Sequence, residues 1–122
     1  MVVSEAVPFA KTGGLADVSS ALSVALATLG HDVSLVLPRY REAGGAGEPA
    51  GRMTVTVGQV PYEVGLYAAS LGRDVRVTLL DCPALYDREG LYGADGRDHP
   101  DNPTRFGLLV RAALDLAAAT EG

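Results

Sequence analysis

The 122-residue chain is short of several residue types, and each shortage excludes a class of protein. Its one cysteine, Cys82, excludes an intrachain disulfide and is typical of a protein from a reducing compartment. Because free cysteines are among the most buried residues, we expect this thiol to be structural. No apolar run approaches the about 18 residues of a membrane span, and Met1 is followed by neither a basic segment nor an apolar stretch. We expect a cytoplasmic protein with no membrane partner.

Positive charge and large aromatic side chains are also scarce. Lys11 is the only lysine, and 10 basic residues face 15 acidic ones, for a net charge of −5. Because phosphate backbones bind clustered Lys and Arg, this balance argues against a nucleic-acid partner. Tryptophan is missing, so the core is expected to be aliphatic. The apolar content of 48% and the length fit one modest globular domain.

The first third of the chain predicts a strand–helix–strand unit. A helix is expected from about Leu15 to Leu29, with Gly30 ending it. The nearly continuous apolar run from Asp32 to Leu37 indicates a strand buried on both faces, as in parallel sheets. Such units place ligand sites at the carboxyl ends of their strands. The helix is expected to bury an apolar face made of Leu15, Val18, Leu22, Ala25, Leu26 and Leu29.

The rest of the chain predicts a loop, three strands and a second helix. Ala43 to Gly51 is rich in glycine and is expected to be a loop. Asn102 is expected to cap the second helix, with Pro103 in its first turn. Alternating apolar residues predict a meander of three strands at a sheet edge, marked by Met53, Val55 and Val57, by Tyr62, Val64 and Leu66, and by Val75, Val77 and Leu79. The second helix is expected to bury Phe106, Leu109, Val110, Ala113, Leu114 and Ala117.

The strongest functional signal is the segment Lys11-Thr12-Gly13-Gly14, which lies where an apolar strand passes into the first helix. Glycines let backbone N–H groups turn toward a ligand, and a helix start adds unpaired donors and a partial positive charge. Lys11 adds a full positive charge. The segment therefore predicts a phosphate site. An ordinary surface turn that begins a helix explains the same four residues equally well.

Two longer blocks carry more information than this short motif. The first runs from Ser4 to Val18 as SEAVPFAKTGGLADV, and the second runs from Asp81 to Gly93 as DCPALYDREGLYG, followed by DNPTRF. In this order they resemble the amino-terminal region of bacterial glycogen synthases and plant starch synthases. The resemblance covers essentially the whole chain. Val3 and the order Ala6-Val7 depart from the family pattern and the first strand is short, so we expect a clipped or misassigned start.

The resemblance implies a fold and an activity. These enzymes transfer glucose from ADP-glucose to the non-reducing end of an α-1,4-glucan such as glycogen, with retained configuration. We expect neither a metal nor a cofactor for this chain. They fold as two Rossmann-like domains that face each other across a cleft, the GT-B arrangement. Residues 1–122 are then part of the amino-terminal domain, an α/β three-layer sandwich of Rossmann-like type, and the carboxy-terminal domain is absent.

The resemblance also implies roles for individual residues. Lys11, Thr12, Gly13 and Gly14 are expected to meet the phosphates of ADP-glucose. The acceptor side is expected to include Glu5, Asp17 and Tyr92. The family's cleft histidine, its basic pair that grips the diphosphate and the acid of its second domain are absent from residues 1–122. No catalytic residue is therefore expected in this chain, and the fragment is expected to be inactive.

Plainer explanations stay open for several residues. A carboxylate such as Asp17 is favoured in a first helical turn whatever the function. The loop with Tyr86, Asp87, Arg88 and Tyr92 is expected to be held by local hydrogen bonds rather than to stack on sugar. A zinc site is not expected, because the two histidines, His31 and His99, lack companion cysteines at ligand spacing.

Other functions are weighed against the transferase. The lysine precedes the glycines, which excludes a P-loop, and the glycine spacing of a dinucleotide site is missing. The main alternative is a stand-alone Rossmann-like module that binds a phosphorylated metabolite without catalysis. A structural or interaction domain whose glycine turn binds nothing is a third interpretation.

Overall fold

The computed structural model describes residues 1–43 and 46–121 as a mixed sheet with helices on both faces. Two further short strands form a hairpin outside the main sheet. The elements in chain order are α1 (Gly14–Thr28), β1 (Val33–Pro38), a 3-10 turn (Arg41–Ala43), β2 (Glu48–Val57), β3 (Val60–Leu71), β4 (Val75–Asp81), α2 (Pro83–Tyr86), β5 (Gly93–Ala94), β6 (Arg97–Asp98) and α3 (Asn102–Glu121).

The main sheet has the strand order β1-β4-β3-β2. β1 and β4 are parallel, from the pair Val33 and Val75 to the pair Pro38 and Leu80, whereas β3 is antiparallel to both β4 and β2. Val2 forms a parallel bridge with Val36, so the first residues lie alongside β1. The predicted strand–helix–strand unit is confirmed, and α1 is its crossover.

Apolar side chains of β1 and β4 point alternately to two cores, one on each face of the sheet. Val33, Leu35 and Leu37 join a cluster that includes Leu26 of α1, whereas Val36 packs against a second cluster. The second cluster contains Leu108, Leu109 and Ala112 of α3. Because successive residues of a strand face opposite sides, burial on both faces explains the continuous apolar run of β1. The predicted three-layer α/β sandwich is confirmed.

The buried face of α1 differs from the predicted one. The side chains that face the sheet are small, namely Ala16, Ser19 and Ser23, and the Ser23 hydroxyl donates to the Ser19 carbonyl at 2.7 Å. Small residues let the helix backbone approach the sheet closely, and this contact turns most of the larger aliphatic residues outward. Leu26 is half-buried, but Leu15, Val18, Leu22, Ala25 and Leu29 are exposed.

The buried face of α3 is rotated by about one residue from the predicted stripe. Leu109 and Ala113 are buried as expected and Phe106 is half-buried, but Val110, Leu114 and Ala117 are exposed. Their places are taken by Arg105, Leu108 and Ala112, which are all fully buried. An apolar pattern cannot anticipate this rotation, because it assigns a charged residue to solvent. No helix in the described parts of the chain is both long and apolar enough to cross a membrane.

Two predictions for the rest of the chain need correction, and one is confirmed. β2 begins at Glu48, inside the segment predicted as a loop, of which residues 44–45 lie outside the described residues. The predicted meander is confirmed, because β4, β3 and β2 are antiparallel neighbours that reach the sheet edge at β2, while β4 also pairs with β1. The Asn102 side chain bonds Arg105 and the Tyr92 carbonyl, so the described contacts make it part of a side-chain network instead of a simple helix cap.

The small-residue face of α1 generates a stability prediction. Ser23→Leu adds a large side chain where the helix meets the sheet, and overpacking of this kind costs about 1–3 kcal/mol. Ala21→Leu makes a comparable change at an exposed position of the same helix and should change stability by less than about 0.5 kcal/mol. The stability of both variants is measured by thermal unfolding, monitored by circular dichroism. Equal stability of the two variants would show that α1 does not contact the sheet through Ser23.

Candidate functional site

The Lys-Thr-Gly-Gly turn lies at the carboxyl edge of the parallel strands. It joins the first residues, which run parallel to β1, to the start of α1 at Gly14. The Tyr40 hydroxyl donates to the Ser4 carbonyl at 2.6 Å, and this bond ties the segment after β1 to the segment before the turn. The turn therefore occupies the edge where ligands bind in open α/β sheets.

The carboxylate of Glu5 occupies the amino terminus of α1. Its Oε1 accepts hydrogen bonds from the backbone N–H groups of Thr12, Gly13 and Ala16 at 3.3, 3.2 and 3.2 Å. Its Oε2 accepts from the Thr12 hydroxyl at 2.7 Å and from the Tyr92 hydroxyl. Glu5 is only 1% exposed. A carboxylate of the chain itself thus takes the helix-start donors that the sequence assigned to a phosphate.

The same contacts determine the protonation of Glu5. Burial alone would raise the pKa of its carboxyl, but hydrogen bonds from Tyr92, Thr12 and Gly13 together outweigh burial and lower it below the ordinary value of 4.5. Burial and the bond to Glu5 raise the pKa of Tyr92 to about 12. Glu5 is therefore ionised and Tyr92 neutral at pH 7, the states in which the tyrosine hydroxyl donates to the carboxylate.

Lys11 and Asp17 form an ion pair at the surface above the turn. The Lys11 Nζ lies 2.9 and 2.8 Å from the two carboxylate oxygens of Asp17, and both side chains are about half exposed. Exposed ion pairs of this kind contribute about 0–1 kcal/mol. A Cβ atom added at Gly13 or Gly14 would meet no atom within 4 Å. The turn is therefore open to solvent beside an ammonium that can exchange partners at small cost.

Arg105 is a buried residue whose part at this edge the sequence did not reveal. Its guanidinium donates to the carbonyls of Leu85 at 2.6 Å and Leu91 at 2.7 Å, and the Tyr86 hydroxyl donates to the Arg105 carbonyl at 2.6 Å. Its Nη2 has no hydrogen-bond partner among the described residues. Burial lowers the pKa of this guanidinium. The one available signal was an arginine directly before the apolar stripe of α3.

Arg105 and Asn102 together fix the loop that carries Tyr92. Asn102 donates from its side-chain nitrogen to the Tyr92 carbonyl at 2.9 Å, and its side-chain oxygen accepts from Arg105 at 2.8 Å. The Tyr92 hydroxyl also lies 2.7 Å from the Ser4 hydroxyl. The position of the Tyr92 ring thus depends on α3, although its hydroxyl meets the segment before α1.

The other polar residues of this loop have structural contacts. Arg88 binds Asp101 through both guanidinium nitrogens, and this hydrogen bonding holds the pKa of the Asp101 carboxyl below its usual range. Asp87 accepts from Arg41 at 3.0 Å. These ion pairs agree with the expected loop-holding role of Asp87 and Arg88.

The remaining candidates lie apart from the turn or are structural. The His99 ring nitrogen Nε2 lies 3.2 Å from the Gly90 carbonyl, and His31 is exposed beyond the end of α1. Cys82 is 3% exposed, and burial raises the pKa of its thiol, which agrees with a structural role.

Two cavities open at opposite edges of the sheet. The smaller, of about 330 Å³, lies at the carboxyl ends of β1 and β4 and is lined by Arg39, Tyr40, Arg41, Asp81, Pro83 and Asp87. The larger, of about 560 Å³, lies at the amino ends of these strands, and Gly30, His31, Asp32, Arg73, Asp74 and Arg76 line it. By size alone the larger cavity is the better candidate for a ligand site. Ligands in open α/β sheets bind at the carboxyl ends of the strands, however, and there Tyr40 also bonds the Ser4 carbonyl beside the turn.

Comparison with known proteins identifies relatives of this chain. The chain is 43% identical over 118 residues to the glycogen synthase of Geotalea uraniireducens and 46% identical over 121 residues to that of Dechloromonas aromatica. These alignments cover 94% and 93% of this chain but 24% of each relative. The chain thus spans about a quarter of the length of these relatives.

A solved structure shows the same fold. The catalytic domain of starch synthase IV from Arabidopsis thaliana, bound to ADP and acarbose, superposes with a TM-score of 0.82 at 25% identity. The match covers 97% of this chain and 24% of that one. The expected GT-B type of α/β fold is confirmed by this likeness. The family model of the starch synthase catalytic domain matches residues 1–121, and the chain therefore belongs to the starch synthase catalytic domain family.

Proposed function

We propose that this chain is the donor-facing amino-terminal part of a glucosyltransferase that acts on ADP-glucose. The enzyme transfers glucose to the non-reducing end of an α-1,4-glucan such as glycogen, with retained configuration, in the cytoplasm. The observation that carries the proposal is the open turn of Lys11 to Gly14, held in place by the buried Glu5 carboxylate. Relatives named glycogen synthases and a structural neighbour bound to ADP support it.

The proposed role of the turn follows from the charge that develops during transfer. Breaking the bond between glucose and the diphosphate builds negative charge on the leaving phosphate. A cation held near that oxygen before the reaction lowers the barrier. Lys11 is suited to this role, because its ammonium is solvent-accessible and its bond to Asp17 is weak. Thr12, Gly13 and Gly14 shape the open backbone beside it.

We place Asp17, Tyr92 and Glu5 on the acceptor side. Asp17 is exposed and can accept hydrogen bonds from glucan hydroxyls once Lys11 turns toward a phosphate. Both oxygens of Glu5 are already bonded to the turn or to Tyr92, so Glu5 acts there through the groups it holds. The chain thereby joins donor and acceptor sides through one buried carboxylate.

The groups that complete the active site belong to a second Rossmann-like domain in this proposal. That domain supplies the basic pair that grips the diphosphate and an acid, and the cleft between the domains holds a histidine. Residues 1–122 then form a partial amino-terminal domain without catalytic residues, inactive by itself.

Lys11→Ala tests the donor role in a complete enzyme. We specify a chimera in which this chain replaces the matched quarter of the Geotalea uraniireducens synthase. Loss of one preorganised donor to developing charge should reduce kcat more than about tenfold, without a change in the midpoint of thermal unfolding. Lys11→Arg should restore only part of the rate, because a planar fork does not replace a compact ammonium.

The control for Lys11 removes another exposed ion pair, far from the turn. Arg76→Ala breaks the pair with Asp32 at the opposite edge of the sheet and should leave kcat unchanged. The kcat of all three variants is measured from steady-state glucose transfer to glycogen. Equal rates for Lys11→Ala and Arg76→Ala, in folded proteins, would remove Lys11 from the site.

Glu5→Gln tests whether the carboxylate holds the turn. The substitution keeps one oxygen acceptor but removes the charge, and loss of charge-assisted bonds costs about 1.5–3 kcal/mol. Because the folded-state pKa of Glu5 is lowered, its stabilising contribution is complete above pH 4.5 and is lost as pH falls through the folded value. The stability difference between wild type and variant should therefore be largest near pH 7 and shrink below pH 4.5.

Glu63→Gln is the matched control for Glu5→Gln. Glu63 is exposed and accepts a surface hydrogen bond from Thr54 at 2.6 Å, so its amide should change stability by less than about 0.5 kcal/mol. Urea unfolding at several pH values compares the two variants. A pH-independent loss in Glu5→Gln would contradict the proposed role of the carboxylate charge.

The isolated chain should bind ADP-glucose weakly. Association costs about 4 kcal/mol or more, and one lysine beside a turn whose Thr12 and Gly13 amides already bond Glu5 does not offset that cost. We expect a Kd of about 1 mM or weaker for residues 1–122, and no transfer to glycogen. Isothermal titration calorimetry measures the affinity. A micromolar Kd would favour the alternative, a stand-alone module that binds a phosphorylated metabolite.

A further inference from the structure

Beside the small residues that face the sheet, α1 carries an exposed stripe of larger aliphatic side chains. Its outer stripe consists of Leu15, Val18, Leu22 and Leu29, which are 51%, 60%, 47% and 76% exposed. No Asp, Glu, Lys or Arg occurs between Asp17 and Asp32. The outer surface of α1 thus lacks the charges by which a surface helix normally meets water.

The other long helix also exposes aliphatic side chains, Val110 at 52% and Leu114 at 61%, but charged residues lie among them. α3 carries Arg111 and Asp115 one turn apart on its outer side, 3.4 Å from each other in an ion pair. The described residues of α1 form no such pair within the helix. Exposed apolar patches without charged residues among them mark contact surfaces.

We propose that the outer stripe of α1 is an intramolecular docking surface, covered in the full-length synthase by aliphatic side chains from the part of the chain outside these 122 residues. The inference rests on the proposed function, since it assumes a synthase of the usual length. The relatives and the structural neighbour are about four times as long as this chain. The neighbour contains nearly all of this fold, so most of its additional length lies outside the matched region.

The size of the stripe favours a covering segment of the same chain over a second copy of the protein. A helix of 15 residues is about 22 Å long and, with side chains, about 10 Å wide. One face of it offers a few hundred Å², whereas a stable interface buries about 800 Å² on each partner. A segment of the same chain needs less area, because it does not pay the full entropic cost of association.

The covering segment does not obstruct the proposed donor turn. Asp17 and Leu22 are five residues apart, which places them about 140° apart around the helix. The Lys11–Asp17 pair therefore stays open while the stripe is covered. Covering α1 would also hold rigid the helix whose first turn presents these two side chains.

Cysteine accessibility in the chimera described above tests the proposal. Leu22→Cys places a thiol on the stripe, and Val60→Cys places one on the β2–β3 hairpin, where Val60 is 51% exposed. Cys82 is 3% exposed and contributes little background. Maleimide labelling is read peptide by peptide by mass spectrometry, so cysteines of the host do not interfere. Both variants are compared with the same variants of the isolated 122-residue chain.

The expected result is protection that depends on the longer chain. In the isolated chain both thiols should label at similar rates. In the chimera the thiol introduced by Leu22→Cys should label at least about tenfold more slowly, while the thiol introduced by Val60→Cys stays reactive. Labelling of the Val60→Cys variant and thermal unfolding verify that the chimera is folded. If the Geotalea chimera does not fold, the Dechloromonas aromatica synthase serves as host.

Two results would overturn the proposal. The first is equal labelling of Leu22→Cys in the isolated chain and in the folded chimera. The second is protection already present in the isolated chain together with a dimer in sedimentation, which would assign the stripe to a second copy. Labelling requires no activity, so a protected but inactive chimera would count against the proposed function alone, and an active but unprotected one against the docking surface alone.

Discussion

The carboxylate of Glu5 at the start of α1 is the interaction on which the carboxyl edge depends. It meets backbone N–H groups of the turn and of α1, and it accepts from Tyr92, which lies 87 residues away in the sequence. The first backbone N–H groups of a helix have no partner within the helix, and leaving several of them buried without a hydrogen bond would be unfavourable. By accepting these hydrogen bonds, Glu5 joins the segment before the turn, the turn itself, α1 and the Tyr92 loop into one unit.

A buried cation organises the same edge from the other face of the sheet. Arg105 meets the carbonyls of Leu85 and Leu91 rather than a carboxylate, so it replaces its hydration with backbone acceptors on the loop that follows β4. Through Asn102 the same network reaches Tyr92, and Tyr92 reaches Glu5. Two buried ionised side chains therefore determine where the loops meet, and the exposed Lys11 lies on an edge held by their hydrogen bonds.

The two faces of α1 connect packing with assembly. Its small residues, Ala16, Ser19 and Ser23, allow close contact with the sheet, and this choice sends larger aliphatic side chains to the outside. Such an arrangement is unfavourable for an isolated domain and suits an inner layer of a larger one. The chain spans about a quarter of the length of its relatives, which is consistent with the proposed cover for these side chains.

The sequence by itself determined the strand–helix–strand start, the parallel pairing expected of a doubly buried β1, and the open Lys11 turn at a strand end, because these follow from local periodicity and residue type. Only the tertiary structure decided which face of α1 is buried, since the advantage of the small residues Ala16, Ser19 and Ser23 over the larger aliphatic ones arises only from contact with the sheet. It also decided that Glu5 fills the helix start and that Arg105 enters the core. Both are charged residues whose burial depends on partners distant in sequence, and no local pattern contains those partners.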